Sequence, residues 1–189
     1  KGMIGANQPQ YFTSPELAEE CADKLPSRSP ATVYDPQAGQ GALLLRGNYG
    51  PARFSSDIDN RIESIGSSNH IVGSCTKIWE VIDDLYPGLR FVCANANEPF
   101  GRKWKINGEF VDSTKATWEW VIRQANYGYL ISTRTTIEKL GLNKHAWCYD
   151  YATKPMSEVW KGMRDGEIGI LHWQRPKEEH YIYTATHEL

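Results

Sequence analysis

The stretch Asn97-Glu98-Pro99-Phe100 combines residue types that can hold and orient an amine. The Asn97 side chain can accept hydrogen bonds from an exocyclic amine and so direct the nitrogen lone pair toward an electrophilic methyl group. Pro99 stiffens the backbone beside it. Phe100 can stack on an unpaired base, a contact worth roughly 1–3 kcal/mol in single-strand binders. The alternative interpretation is a proline turn with a buried aromatic ring.

A second chemical stretch is the turn Asp35-Pro36-Gln37-Ala38-Gly39-Gln40-Gly41. Its two glycines let the backbone approach a ligand where a Cβ would collide. The turn lacks the third glycine of the dinucleotide fingerprint and the Gly-Lys-Ser/Thr of a phosphate loop, and it holds no basic residue, which disfavours a polyphosphate. The acidic Asp35 suits an amino or sulfonium group, as in S-adenosylmethionine. The alternative is an ordinary tight turn between a strand and a helix.

Asp57 lies 22 positions after Asp35 and ends a second apolar stretch. A carboxylate at this place can accept two hydrogen bonds from a ribose diol, as it does in nucleoside-binding sheets. Ile58 would supply an apolar wall for an adenine ring. Taken alone, Asp57 could equally be a solvated loop acid, and its spacing from the glycine turn favours the ligand role.

Short apolar strands that alternate with helical patterns must position these residues. The strands are predicted at 31–34, 52–56, 69–73, 89–94, 127–132, 146–151 and 168–173. Strands alternating with helices predict an α/β fold with an open, mostly parallel sheet, and the last two strands predict an antiparallel edge hairpin. In such sheets ligands bind beyond the carboxyl ends of the strands, where all three stretches fall.

Short stretches of sequence also predict where helices begin and end. Thr13 and Glu16 predict a capping box for a first helix that stops before Pro26. Another helix is predicted at 113–125. The intervening stretch 101–112 is rich in Gly, Lys and Asn and is predicted to be a mobile loop.

Several of these pieces resemble, in chain order, the motifs of DNA adenine-N6 methyltransferases, a branch of the class I S-adenosylmethionine-dependent methyltransferases. The segment 11–17 resembles their F-T-P-P-E, and 35–41 resembles the cofactor turn D-P-x-A-G-x-G. The segment 56–59 is similar to the acidic segment after strand two, and 97–101 resembles the catalytic N-P-P-F-G. Gly169–Trp173 is similar to the final strand.

The resemblance implies one catalytic domain over residues 1–189, a Rossmann-like three-layer sandwich whose mostly parallel seven-stranded sheet carries an antiparallel edge hairpin. Its implied reaction is methyl transfer from S-adenosylmethionine to the N6 amine of adenine in DNA, with the base extruded from the helix. The implied cofactor residues are Phe12, Thr13, Asp35, Ala38, Gly39, Asp57 and Ile58. The implied catalytic residues are Asn97, Pro99 and Phe100.

Basic residues directly follow the catalytic-like loop and could contact the substrate. Arg102, Lys103 and Lys105 could grip a phosphate, and Trp104 between them could stack on a base. The alternative is a solvated loop with one half-buried tryptophan. With Phe100, the residues Arg102 and Lys103 form the predicted substrate-binding set.

Two departures from the family pattern keep other functions open. Glu98 stands where the family has its first proline, and a carboxylate there would bring negative charge near the base. Ser74 stands where an acidic residue usually follows strand three. These changes motivate a catalytically impaired binding or regulatory subunit as one alternative. An RNA or protein-glutamine N-methyltransferase is the other, although the segment 11–17 favours the DNA enzymes.

Composition limits the partners. Twenty-one Lys and Arg against 23 Asp and Glu leave a net charge of −2, so DNA binding needs a local basic patch or another subunit. No target-recognition domain is evident, which predicts single-stranded DNA, an oligomer or a recognition subunit as partner. No apolar run reaches the ~20 residues of a membrane span. Four scattered cysteines and five histidines show no metal spacing, which predicts a metal-free, reduced, cytoplasmic protein.

Overall fold

Seven short, mostly apolar runs pair into one sheet in the computed structural model, which describes residues 13–27, 29–30, 32–36, 52–57, 69–72, 75–85, 87–98, 101–160 and 165–182. The strands of this sheet are β1 (Thr32–Asp35), β2 (Ala52–Asp57), β3 (Asn69–Val72), β4 (Phe91–Asn97), β7 (Ala125–Thr133), β8 (Cys148–Pro155) and β9 (Glu167–Gln174). A separate two-stranded sheet consists of β5 (Lys103–Ile106) and β6 (Glu109–Asp112).

Helices connect many of these strands. They are α1 (Pro15–Asp23), α2 (Cys75–Leu85), α3 (Ser113–Gln124), α4 (Arg134–Lys139) and α5 (Met156–Val159), with 3-10 turns at Leu142–Lys144 and Lys177–Glu179. Across the described ranges, none of the helices has the length and apolar character needed to span a bilayer.

The strand order across the large sheet is β3-β2-β1-β4-β7-β9-β8. The pairs from β3 to β7 are all parallel. β9 runs antiparallel to both of its neighbours, β7 and β8, so the β8–β9 hairpin closes one edge. The predicted α/β fold, with a mostly parallel seven-stranded sheet and an antiparallel edge hairpin, is confirmed.

Apolar side chains cover both faces of the sheet and make three layers. On one face the aromatic rings of α2 and α3 pack on β1 and β4. Trp79 stacks on Trp120 with centroids 4.8 Å apart, and Tyr34 stacks on Phe91 at 5.0 Å. On the other face the apolar stripe of α1 packs against the sheet. Burial of large side chains on both faces, at about 1.5–3 kcal/mol each, holds the strand ends in place.

The parallel strands β4 and β7 approach each other especially closely at Gly128. A Cβ placed on Gly128 would lie 1.8 Å from the carbonyl oxygen of Ala94, which is backbone and cannot rotate away. Only glycine fits at this contact. The close approach fixes β7 against the strand that carries Asn97.

Two local predictions were wrong. β4 runs to Asn97 and not to Ala94, so Asn97 is a paired strand residue opposite Ile131. The predicted mobile loop at 101–112 is instead the hairpin β5–β6. Its turn is Asn107-Gly108, and both residues have positive φ, 50° and 83°, as a two-residue hairpin of type I′ requires.

The N-cap of the first helix lies one residue later in the sequence than predicted. Ser14 is the N-cap, because its hydroxyl accepts from the Leu17 amide at 3.2 Å and Pro15 occupies the first helical position. The predicted capping box of Thr13 and Glu16 is therefore wrong by one residue. This shift leaves the Thr13 hydroxyl available for a different contact.

Candidate active site

The carboxyl ends of β1, β2 and β4 lie side by side at one edge of the sheet. β1 pairs with β2 on one side and with β4 on the other, so the strand order reverses at β1. Ligands of open α/β sheets bind in the crevice at such a reversal. Asp35, Asp57 and Asn97 are the last residues of these three strands; the sequence predicts all three at this edge of the sheet, beyond shorter strands.

A hydrogen-bond chain holds the start of the turn after β1. The Ser56 hydroxyl donates to the carbonyl of Pro36 at 2.8 Å, so its own oxygen accepts from the Tyr34 hydroxyl at 3.0 Å. All of this lies in the core beside Asp35, which is fully buried. Pro36, the first residue after β1, is thus held against β2 by Ser56. The Asp35 carboxylate lies directly before it, at the carboxyl end of β1.

Several predicted site residues fall outside the described part of the chain. The backbone of Asp57 is described, and it pairs with Val72 of β3. Its side chain lies outside the described residues, so the predicted contact with a ribose stays a prediction. The same holds for the predicted roles of Phe12, Ala38, Gly39, Ile58, Pro99 and Phe100.

Asn97 is tied directly to the N-terminal segment. Its side-chain nitrogen donates to the hydroxyl of Thr13 at 2.7 Å, across 84 positions of sequence. Because the nitrogen is engaged, the amide has one orientation, and its oxygen is left to accept from another donor. Both residues are half-buried, at the rim of the crevice. The structure therefore brings together Thr13, which is predicted to contact the cofactor, and Asn97, which is predicted to bind the target amine.

The register of β1 and β4 sets the spacing along the crevice. Tyr34 is opposite Ala94, so Asp35 lies level with Asn95 and Asn97 is two residues farther out. At about 3.3 Å per residue, Asn97 stands roughly 7 Å beyond Asp35 along the strand direction. The acidic residue is thus deep in the crevice and the amide is near its mouth.

Glu98 turns away from the crevice. Its side chain is 2% exposed and lies between β7 and the first turn of α3. One carboxyl oxygen accepts from the Ser132 hydroxyl at 2.9 Å and from the Thr114 hydroxyl. The other oxygen is buried with no direct hydrogen bond among the described residues, and the Ser113 side chain is a third hydroxyl close enough to lower the pKa of this carboxyl. The predicted placement of negative charge near a bound base is therefore wrong for the side chain.

Burial governs the protonation of Glu98. Removal of the carboxyl from water raises the pKa of Glu98 from 4.5 to about 7, and the hydroxyls that donate to it act in the opposite direction. At neutral pH a large fraction of the protein carries this group uncharged. Through its hydrogen bonds to Thr114 and Ser132, Glu98 fixes the end of β4 to α3 and β7, an arrangement that we call the Glu98 clasp. The Glu98 carboxyl places little charge at the site.

The basic residues after the loop belong to the hairpin. The carbonyl of Arg102 accepts from the Ser113 amide at 2.9 Å, which joins the hairpin base to α3. Lys103 is exposed and opposite Asp112. Trp104 is half-buried and packs edge-on against Trp79, with centroids 6.2 Å apart. Trp104 is consequently a core-side residue, and the predicted stacking role does not fit it.

Sequence reasoning missed the two residues that hold Glu98. Thr114 and Ser132 are 16 and 34 positions away from it, and their hydroxyl oxygens are 2.8 Å apart. Both are buried polar residues. The available signal was the position of Ser132 near the end of a long apolar strand, where a hydroxyl needs an internal partner.

Among the described side chains, the cysteines and His172 have structural surroundings and no reactive arrangement. Cys21 and Cys93 are buried free thiols, and Cys148 is a half-buried one. Burial raises the pKa of Cys21 to about 12, which makes it a poor nucleophile. His172 is buried, and its Nε2 donates to the carbonyl of Cys21 at 2.8 Å, so it has a structural role. In the described ranges no group of His, Cys, Asp and Glu could hold a metal ion.

Comparisons with known proteins rest on structure alone. No protein-family model matches the sequence, and no curated protein matches it. A protein of Pyrococcus horikoshii assigned provisionally to the RNA methyltransferases aligns with TM-score 0.63 and 16% identity over 92% of this chain and 94% of its own. The modification subunit of a provisionally assigned type I restriction enzyme of Vibrio vulnificus aligns with TM-score 0.64 and 11% identity over 90% of this chain and 46% of its own.

A third structure is an O-methyltransferase of Bacillus cereus in complex with SAH. It aligns with TM-score 0.57 and 13% identity, over 88% of this chain and 84% of its own. The three proteins are described by different activities and share an architecture. Likeness at this level of identity shows the fold, and the chain has the Rossmann-like fold of class I methyltransferases.

Proposed function

We propose that this protein is an S-adenosylmethionine-dependent N-methyltransferase whose target is the N6 amine of adenine in DNA. The observation that carries the proposal is the hydrogen bond from Asn97 to Thr13 at the carboxyl end of β4. This hydrogen bond joins the segment 11–17, which is predicted to contact the methyl donor, to the segment 97–101, which is predicted to bind the target amine. The fold and the order of the motifs support the same function.

The crevice suits the proposed methyl donor. Asp35 puts a carboxylate at the strand reversal, where an ammonium or sulfonium group would be attracted. Asp57 ends the adjacent strand, where a ribose diol would be held. The aligned Bacillus cereus protein was crystallised with SAH, the demethylated form of the donor. When bound, S-adenosylmethionine would supply an electrophilic methyl group.

The residues of the chain would orient the amine. The Asn97 side-chain nitrogen is bound to Thr13, and the side-chain oxygen would accept a hydrogen bond from the target amine. The backbone carbonyl of Glu98 would be the second acceptor, in the place of the family's first proline. An amine held at two points presents its nitrogen in one direction, and orientation of this kind can supply several kcal/mol of the barrier reduction.

The structure weakens one argument against activity. The Glu98 carboxyl is buried under Ser132 and Thr114 and is uncharged in much of the protein near neutral pH. The substitution of proline by glutamate therefore changes how the loop is anchored, and it does not aim a charge at the base. A loop anchored by hydrogen bonds replaces one stiffened by a proline ring.

RNA is the second candidate substrate. The alignment with the Pyrococcus horikoshii protein, assigned provisionally to the RNA methyltransferases, covers 94% of that protein. Asn97 would accept an adenine amine in either nucleic acid in the same way. The choice between DNA and RNA therefore depends on residues that contact the sugar and the flanking nucleotides.

Methyl transfer from labelled S-adenosylmethionine tests the proposal. Single-stranded DNA, duplex DNA and RNA of the same sequence are each offered, and the methylated nucleosides are identified by mass spectrometry. We expect N6-methyldeoxyadenosine from DNA, and product in RNA alone would reassign the substrate. No product in any nucleic acid, together with measurable binding of the donor by calorimetry, would refute nucleic-acid methylation and leave a protein-glutamine N-methyltransferase or a binding or regulatory subunit.

Asn97→Ala tests the catalytic residue. It should abolish transfer, because the amine loses its side-chain acceptor, and leave donor affinity within a few-fold of wild type. Asn143→Ala is the matched control, since Asn143 is half-buried in the 3-10 turn Leu142–Lys144 that precedes β8, away from the strand reversal. Full activity of Asn97→Ala would contradict the assignment.

A further inference from the structure

We propose that the exposed face of the β5–β6 hairpin binds the single-stranded nucleic acid that flanks the target base. Phe110 would stack on one base, and Lys103 and Lys105 would contact phosphates. The inference rests on the proposed function and deepens it, because it names a surface beside the active site that holds the substrate. It concerns the phosphate and base chemistry that DNA and RNA share.

Strand alternation puts these three side chains on one face. Lys105 is directly opposite Phe110 across the antiparallel pair, and Lys103 is two residues away from Lys105 on the same strand. The intervening Trp104 and its partner Val111 are half-buried and pack against the core. The hairpin is therefore anchored by one face, and the opposite face is held toward solvent.

Phe110 is 73% exposed, although an isoleucine and a tryptophan of the same hairpin are half-buried. A single exposed ring is common on protein surfaces. Here the ring lies beside an exposed lysine on a rigid two-stranded ribbon, the combination with which single-strand binders hold a base and its phosphate. The Asn107-Gly108 turn, with both φ values positive, fixes the shape of the ribbon.

The charges of this face favour a polyanion. Asp112 is the acidic residue opposite Lys103, and its carboxylate already accepts from the amides of Thr114 at 2.8 Å and Lys115 at 3.4 Å as the cap of α3. The other acidic residue of the hairpin, Glu109, is paired with Ile106 on the opposite face. The chain as a whole has a net charge of −2, so this is a local basic patch on an acidic protein.

The hairpin is close enough to act on the same substrate as Asn97. Lys103 begins β5 six positions after Asn97, so their Cα atoms are at most about 20 Å apart. A nucleic acid strand places a phosphate every ~3.4 Å in a duplex, so a base at Asn97 has several neighbouring phosphates within that reach. The hairpin would contact nucleotides next to the extruded base.

Fluorescence anisotropy with labelled single-stranded DNA and RNA of one sequence tests this inference. Phe110→Ala should weaken binding between about 5-fold and about 100-fold, the range that stacking supports, and Phe110→Tyr should keep wild-type affinity. Between about 50 mM and about 200 mM salt, Lys103→Gln and Lys105→Gln should each lower the slope of log K against log salt by about 0.7. Lys177→Gln, an exposed lysine beyond the end of β9, is the control and should bind as wild type does.

Loss of affinity of Phe110→Ala for both DNA and RNA, or for one of them, supports the inference. The nucleic acid whose binding depends on Phe110 shows which sugar is preferred. Wild-type affinity of Phe110→Ala for both strands would overturn it, as would a wild-type protein that binds neither strand at about 50 mM salt. Methyl transfer, measured in parallel, separates the two proposals. Phe110-dependent binding without transfer removes the proposed function alone, and transfer with Phe110-independent binding removes this inference alone.

Discussion

Replacing Glu98 with glutamine removes a buried carboxylate and leaves a carbonyl oxygen of the same size. That oxygen can still accept from Ser132 and Thr114, as the carboxylate oxygen does now. The new amide nitrogen would occupy the place of the oxygen that has no partner among the described residues. This unpaired donor costs roughly 1–3 kcal/mol, and that cost is the same at every pH.

The pKa of Glu98 sets the size and the sign of the effect. Its rise from 4.5 to about 7 means that the folded protein binds this proton more tightly than the unfolded chain does. Between these two values the folded state holds more protons, so the free energy of unfolding falls as the pH rises. At 1.36 kcal/mol per pH unit the full loss is about 3 kcal/mol, and most of it falls between about pH 5 and about pH 8.

Urea unfolding followed by tryptophan fluorescence measures this directly, at several values between about pH 5 and about pH 8. Wild type should lose about 2–3 kcal/mol more than Glu98→Gln across that range. Burial lowers the pKa of His172, which destabilises both proteins as the pH falls and cancels in the comparison. Glu119→Gln, at an exposed position on α3, removes one carboxylate as a control and should keep the wild-type slope. Equal slopes for wild type and Glu98→Gln would refute the Glu98 clasp interpretation.

Three further predictions concern the crevice and the sheet beneath it. Thr13→Val should lower kcat by about 2- to 10-fold in the methyl-transfer assay, because one hydrogen bond that orients Asn97 is lost; Thr13→Ser should restore it, and an unchanged kcat would contradict the role. Asp35→Asn should weaken donor binding by about 10- to 100-fold in calorimetry, the range for a hydrogen bond to a charged group, and wild-type affinity would exclude the contact. Gly128→Ala should destabilise the fold by about 3 kcal/mol or more, because its Cβ would lie 1.8 Å from the Ala94 carbonyl; a wild-type melting temperature would show that the strands can separate without cost.

Strand positions and the residues at their carboxyl ends were predictable from the sequence. Apolar runs directly precede Asp35 and Asp57 and lie a few residues before Asn97, and the alternation of strands with helices implies that these ends meet. Both signals are local and depend on residue type. They were sufficient for the fold class, the antiparallel edge hairpin and the position of the crevice, and they did not predict the strand order.

The side-chain directions were not predictable in the same way. Glu98 follows Asn97 in sequence, and only its partners Thr114 and Ser132, far along the chain, show that it points inward. The contact between Thr13 and Asn97 spans 84 positions, and no local pattern in the sequence indicates it. Contacts of this range are set by tertiary packing, which overrides local propensity.

The hairpin was missed for a different reason. Its lysines, glycines and asparagine were interpreted as loop composition, although Asn107-Gly108 between alternating residues is a strong hairpin signal. The alternation of Lys103, Trp104, Lys105 and Ile106 predicts one exposed and one buried face, as the structure has it. Composition was given more weight than pattern.

A crystal structure of the protein with bound S-adenosylmethionine, or with its demethylated product, tests the central claim most directly. We expect the adenosine to lie across the ends of β1 and β2, within hydrogen-bond distance of Asp57, and the sulfur to face the Thr13–Asn97 contact. A ligand found elsewhere on the sheet, or bound with Asp57 and Asp35 both out of contact, would contradict it.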